Sequence, residues 1–225
     1  MAGGFRRALV IGSSGGIGAA MCQQLTRVGT EVTGLSRSGD GLNVTDADSV
    51  AAHLGALDGS FDLIFVATGA LEIDAKGPEK ALHQLDAASL MAQFRLNAIG
   101  PALVLRHVPR LLPRGGRSVV AALSARVGSI GDNGYGGWYG YRASKAALNQ
   151  ILHTAAIELA RKHRDNICVA LHPGTVATGL TCRYATRHPT VTPEQAAQRL
   201  IAVMDDLTPD QSGGFFDYAG RAIPW

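Results

Sequence analysis

The sequence predicts an α/β fold: a Rossmann-type doubly wound parallel sheet of about seven strands, with helices on both faces. Three observations point there. Short, nearly continuous apolar runs alternate with helical patterns along the chain, as expected of strands buried on both faces. A glycine-rich turn separates the first apolar run from the first helical pattern. No repeat, low-complexity tract or linker divides residues 1–225, so one domain is expected, with a short substrate loop at 179–192.

Residues 8–11 read as a buried strand, followed by the glycine turn and a helix to about Val28. Residues 31–35 form a second strand and 41–44 a short third. Thr45 or Asp46 then caps a helix reaching about Leu57. Residues 62–67 give strand four, and a long helical pattern spans 86–112. Strand five is 117–123. Residues 125–137 hold five glycines and must be loop. A helix over about 138–163, strand six at 167–172, a helix at 193–207 and a last strand near 214–218 complete the order.

Composition excludes several classes. Hydrophobic residues make up 46%, ordinary for a globular protein, and the net charge of +3 comes from dispersed residues with no basic run for nucleic acid. Cys22, Cys168 and Cys182 cannot build a disulfide framework, and no two of the seven histidines have metal-ligand spacing, so no metal is expected. No stretch approaches 18 consecutive apolar residues and the N-terminus runs straight into a strand, so a soluble, cytoplasmic protein is expected.

Tyr141 and Lys145 stand four apart at the start of a helical pattern and so share a face. A phenol ionises near pH 10, and bringing that to about 7 needs roughly 4 kcal/mol of preference for the phenolate. An ammonium at about 4 Å supplies that much at an effective dielectric of about 20. The pair can therefore act as proton donor and acceptor for a carbonyl and its alcohol. Pro101 adds a second feature. It lacks the N–H that would bond the Asn97 carbonyl, so the helix bends there and the freed carbonyl can hold a water.

The turn Gly12-Ser13-Ser14-Gly15-Gly16-Ile17-Gly18 suits a pyrophosphate at a helix N-terminus. At the end of strand two, where NAD-binding proteins carry an acid for the ribose 2′-hydroxyl, stand Ser36 and Arg37. Arginine there can pair with a 2′-phosphate, so NADP(H) is expected over NAD(H). A bent loop could instead swing Asp40 to the ribose.

With Tyr141-x-x-x-Lys145, this glycine spacing resembles the short-chain dehydrogenase/reductase family. So do Ser124 after strand five, Asn97 in Arg95-Leu96-Asn97-Ala98, and His172-Pro173-Gly174 with Thr178 beyond it. The closing segment 212–225 and residues 124–133 resemble its C-factor-like branch. The resemblance implies a catalytic tetrad in which Tyr141 protonates the carbonyl oxygen and Lys145 tunes it. Ser124 would hold the carbonyl, and Asn97 would order a relay water.

It further implies cofactor contacts from Gly12, Ser14, Gly16, Ile17, Gly18, Ser36, Arg37, Asn43, Val44, Ala67, Gly69, Tyr141, Lys145, Pro173, Gly174, Val176 and Thr178. The family's Asn-Asn-Ala-Gly is replaced by Val66-Ala67-Thr68-Gly69. The substrate pocket is expected between residues 126–138, 179–192 and the C-terminus, open and shallow, for a small carbonyl or alcohol.

Ala146, Ala147, Leu148, Ile151, Leu152, Ala155, Ala156 and Leu159 give more apolar surface than one sheet face needs, which with the resemblance suggests a homodimer or homotetramer. The alternative function is a dinucleotide-binding signalling or regulatory protein of C-factor type with little turnover.

Overall fold

In the computed structural model, which describes residues 4–74, 76–179 and 190–225, six parallel strands lie in the order β2-β1-β3-β4-β5-β6. They are β1 (Arg7–Ile11), β2 (Glu31–Leu35), β3 (Leu63–Val66), β4 (Ser118–Leu123), β5 (Asn166–His172) and β6 (Phe215–Asp217). Alternate strand residues feed two separate cores. Leu9, Ile11, Ile64 and Val66 pack under one face, Ala8, Val10, Leu63 and Phe65 under the other.

The second core is covered by α1 (Gly16–Arg27) and α8 (Pro193–Asp206), through Met21, Leu25, Leu200 and Met204. The first core is covered by α3 (Ala47–Gly55) and, later in the chain, by α5 (Gly100–Leu105), α6 (Val108–Leu111) and α7 (Tyr139–Leu159). The strand order reverses direction between β1 and β3. A crevice for a ligand is expected outside the carboxyl ends of strands at such a point.

Two sequence expectations are corrected. Residues 41–44 are not a strand, so the sheet has six strands rather than about seven. The chain leaves β2 into a one-turn helix, α2 (Arg37–Asp40), closed by Gly41 at φ 79°. Leu42 N–H then bonds the Ser36 carbonyl at 3.1 Å and Asn43 N–H the Ser49 hydroxyl at 3.0 Å, which takes those donors away from any ladder.

The helix expected over 86–112 is broken. It runs as α4 (Ala87–Phe94), a π-helical stretch (Arg95–Ile99), α5 and α6. The break falls where Pro101 withholds its N–H, and the Gly100 N–H reaches back five residues to the Arg95 carbonyl.

Candidate active site

The glycine loop is shaped by close approaches. Gly12 sits at φ 88°, and a Cβ there would lie 3.1 Å from the Ala67 carbonyl carbon. A Cβ on Gly18 would run into the Gly12 carbonyl, so only glycine lets α1 begin hard against β1. Gly15 caps the 12-residue α1 with no side-chain bond, and the first turn holds no acid. Its first N–H groups and positive dipole end therefore open to an anion.

Helix α7 brings in the catalytic candidates. Its entry residue Trp138 is left-handed at φ 54°, a strained conformation for a tryptophan, and offers no side-chain cap. The buried carboxylate of Glu79 caps it instead, accepting the Gly140 N–H at 3.1 Å. An anion suits that end of the helix dipole. Tyr141 and Lys145 follow one turn apart, both buried. The Tyr141 hydroxyl makes no hydrogen bond among the described residues.

Lys145 Nζ donates to the Leu123 carbonyl at 2.9 Å and lies 5.8 Å from the Tyr141 ring centroid. Burial pushes the Tyr141 phenol above its ordinary value and pulls the Lys145 ammonium down to about 8. The downward shift expected for the phenol is thus not seen, because loss of water outweighs a lysine turned towards a backbone carbonyl.

Ser124, 3% exposed, follows β4 and donates its hydroxyl to Asn149 Oδ1 at 2.6 Å. Asn97 is fully buried; its Oδ1 accepts the Ala70 N–H and its Nδ2 donates to the Ala70 carbonyl, both at 2.9 Å. Gly69, at φ 146°, leaves the space this needs. A Cβ there would sit 2.8 Å from Asn97 Oδ1 and 3.0 Å from Lys145 Nζ.

Tyr141, Lys145 and Ser124 meet at a cleft of about 660 Å³ at the carboxyl ends of the strands, while Asn97 is buried behind its wall and does not line it. Gly16, Ile17, Ala67, Gly69, Ser124, Tyr141 and Lys145 line it, with Pro173, Gly174, Val176 and Thr178 across from them. Gly12 and Gly18 act behind the wall, through backbone packing. Ser14 and Arg37 are exposed beyond it. The Ser36 hydroxyl is spent in its own turn, accepting from Gly39 N–H and donating to Asp40 Oδ2. Asn43 binds the Thr45 N–H and hydroxyl, and Val44 is core.

The cleft suits a nicotinamide dinucleotide. It has an uncapped helix N-terminus, a glycine cradle in which a Gly16 Cβ would lie 2.7 Å from Thr178 Cγ2, and a buried Thr68 hydroxyl with no partner among the described residues.

Of the expected substrate walls, Arg126, Val127, Asp132, Tyr135 and Trp138 line the cleft, and so does Gly179. Residues 180–189 of the expected loop lie outside the described residues. The C-terminus anchors rather than lines: Trp225 stacks on Phe215 at 5.9 Å and its carbonyl accepts the Gly131 N–H at 2.8 Å.

Sequence reasoning missed several residues. Glu79 has no motif. Arg142 fastens the glycine-rich loop by donating to the carbonyls of Val127, Gly136 and Gly137. Asn149 was findable, one turn beyond Lys145 on the same stripe of α7. His172 also lines the cleft. Its Nδ1 is buried without a partner among the described residues, and burial together with the Arg126 charge pulls the imidazole down to about 4, leaving it neutral.

A family model described as short chain dehydrogenase matches residues 6–188. The chain belongs to the short-chain dehydrogenase family. It is an NAD(P)-dependent oxidoreductase of that family. A relative from Rhodococcus sp. (strain AD45), 1-hydroxy-2-glutathionyl-2-methyl-3-butene dehydrogenase, is 35% identical over 233 residues, covering 96% of this chain and 98% of its own.

C-signal of Myxococcus xanthus is 36% identical over 145 residues, covering 64% of this chain and 84% of its own, which bears out the C-factor-like resemblance. Among solved structures, an NADPH-bound carbonyl reductase from chicken fatty liver superposes with a TM-score of 0.83 at 21% identity, covering 99% of this chain and 95% of its own. Carbonyl reductase Sniffer of D. melanogaster gives 0.83 at 20% identity, over 98% and 99%. Both share the fold. No described helix is long and apolar enough to cross a membrane.

Proposed function

We propose that this short-chain dehydrogenase interconverts a small carbonyl compound and its secondary alcohol with NADP(H). The supporting observation is convergence: Tyr141, Lys145 and Ser124 line one cleft with the open N-terminus of α1. The glycine loop and α1 would hold the pyrophosphate, Lys145 the nicotinamide ribose, and residues 173–178 the nicotinamide side. The dinucleotide, when bound, supplies the hydride. Tyr141 carries the proton at its hydroxyl, and its raised value keeps it protonated and ready to donate to a carbonyl oxygen. Asn97 holds the loop after β3 against the lysine and would order the relay water at its carbonyl. Trp138, Leu71 and Val127 line the same cleft and would shield the reacting oxygen from water.

The Rhodococcus relative is named for a hydroxylated glutathione thioether, so such alcohols belong on the test panel beside simple ketones and aldehydes. Purified protein incubated with that panel should consume NADPH or form it from NADP⁺. Tyr141→Phe should lose more than about nine-tenths of the rate, because acid–base catalysis contributes 10²–10⁴-fold. Tyr139→Phe is the control and should be mild. Retention of more than about a tenth of the rate in Tyr141→Phe would refute the assignment. The likeness to C-signal favours a second reading, a dinucleotide-binding signalling protein. Tight cofactor binding with no turnover across the panel would favour it.

A further inference from the structure

Tyr141, Lys145 and Asn149 lie one turn apart on a single buried stripe of α7. The third member has no part in the chemistry set out above. Its amide is oriented by its surroundings: Nδ2 faces the Gly128 carbonyl at 3.5 Å, where an amide oxygen would be repelled. Oδ1 therefore faces Ser124 and accepts its hydroxyl at 2.6 Å.

A serine has one proton to give and two lone pairs. With the proton held by Asn149, Ser124 meets the cleft as an acceptor. An alcohol then completes a chain of one polarity, from the Tyr141 hydroxyl to the alcohol oxygen, from the alcohol hydroxyl to Ser124, and from Ser124 to Asn149. A carbonyl oxygen has no proton to give. To receive a second donor it must take the Ser124 proton from Asn149, leaving a buried amide oxygen unpaired.

We propose that Asn149 is a positioning residue that turns Ser124 into an acceptor and so makes the site hold the alcohol of a pair more tightly than the carbonyl. This rests on the carbonyl/alcohol reading above.

The test measures dissociation constants for an alcohol and its ketone, each with the cofactor form that cannot react with it. The starting pair is 4-phenyl-2-butanol and 4-phenyl-2-butanone, replaced by the first pair on the panel that is turned over if this one is not. Wild type should favour the alcohol. Asn149→Leu, which frees the Ser124 proton, should shift the alcohol-to-carbonyl ratio about tenfold towards the carbonyl. Asn149→Ser, whose hydroxyl is too short to reach Ser124, should shift it the same way and serves if the leucine variant does not fold.

In a Ser124→Ala background the same substitutions should leave the ratio unchanged, since a merely structural role would act there too. A wild type that favours the ketone, an unshifted ratio, or a shift that persists without the Ser124 hydroxyl overturns the proposal while leaving the carbonyl/alcohol reading intact. A wild type that turns over no pair on the panel overturns both.

Discussion

Asn97 grips Ala70 at two points, accepting its N–H and donating to its carbonyl, both at 2.9 Å. This ties the helix that carries Asn97 to the loop that follows β3, on the floor of the cleft. The π-helical stretch Arg95–Ile99 makes that side chain's placement part of a local distortion, and Pro101 sits at its downstream edge.

Pro101→Ala restores an N–H able to bond the Asn97 carbonyl. The stretch should relax towards an α-helix and draw the Asn97 amide away from Ala70. We expect kcat to fall several-fold with the thermal midpoint unchanged or raised, since alanine is the better helix former. Steady-state kinetics beside a melting curve checks this, and an unchanged kcat would leave the distortion a matter of packing only.

The strands and α1 were legible because their signals are local: apolar runs of fixed length and glycines where a Cβ would clash. The break in the helix was legible too, because a proline states which hydrogen bond is missing. Its π-helical form was not, since that depends on how neighbouring carbonyls find new partners. Residues 41–44 failed for a related reason. The apolar Leu42 and Val44 are buried as a strand's would be, but the Leu42 N–H is claimed by Ser36 and the Asn43 N–H by Ser49 of α3.

In the site, spacing pointed to Tyr141 and Lys145, Pro101 pointed to Asn97, and the family resemblance added Ser124; their roles are proposals. What each bonds was hidden. Lys145 turns to Leu123, and Ser124 to Asn149, because burial leaves each polar atom to the nearest partner the fold supplies.

Lys145, proposed as catalytic, places its ammonium in a site that disfavours it, at about 8 against an ordinary 10.5. At pH 7 the folded and unfolded chains both carry this proton, so the folded state bears the whole cost of burying it, about 3 kcal/mol. Between pH 8 and 10.5 the folded chain sheds the proton while the unfolded chain keeps it, and the cost fades. Lys145→Met should therefore abolish turnover yet raise the melting temperature at pH 7 by a few degrees, less whatever the orphaned Leu123 carbonyl takes back. The gain should shrink as pH rises from 8 to 10.5. A variant that melts lower than wild type at pH 7 would show that the hydrogen bond to Leu123 outweighs desolvation.

A homodimer or homotetramer is the proposed assembly, through α4 and α7, which pack against one another. Leu148, Leu152, Ala156 and Leu159 from the apolar set on α7 are spent on the domain's own core. The unspent surface is Met91 at 66% exposure, Ile99 at 49% and Ile157 at 56%. Light scattering at micromolar concentration should give at least a dimer mass, and Met91→Glu with Ile157→Glu should lower it. A monomeric wild type would reject this assembly.

We propose that cofactor choice turns on the short helix after β2. NADP(H) is the proposed partner, and two observations support it. Asp40, the acid that could have reached a ribose, is held in its own turn, where its Oδ2 accepts the Ser36 N–H at 2.8 Å. The Arg37 side chain is exposed and makes no hydrogen bond or ion pair among the described residues, so its guanidinium is available to a 2′-phosphate. Ser36 contributes less than its chemistry suggests, because its hydroxyl already serves Gly39 and Asp40.

Arg37 should then carry most of the discrimination. A charged hydrogen bond is worth roughly 1.5–3 kcal/mol, or about 10- to 150-fold in affinity. Arg37→Ala should weaken NADPH binding at least tenfold and leave NADH nearly untouched, as read by fluorescence titration of each nucleotide. Ser36→Ala should do little to the ratio directly, since the Asp40 carboxylate keeps its bond to the Ser36 N–H. Equal losses for the two nucleotides in Arg37→Ala, or a wild type that prefers NADH, would mean that the arginine is only a solvated side chain and that the 2′-position is read elsewhere.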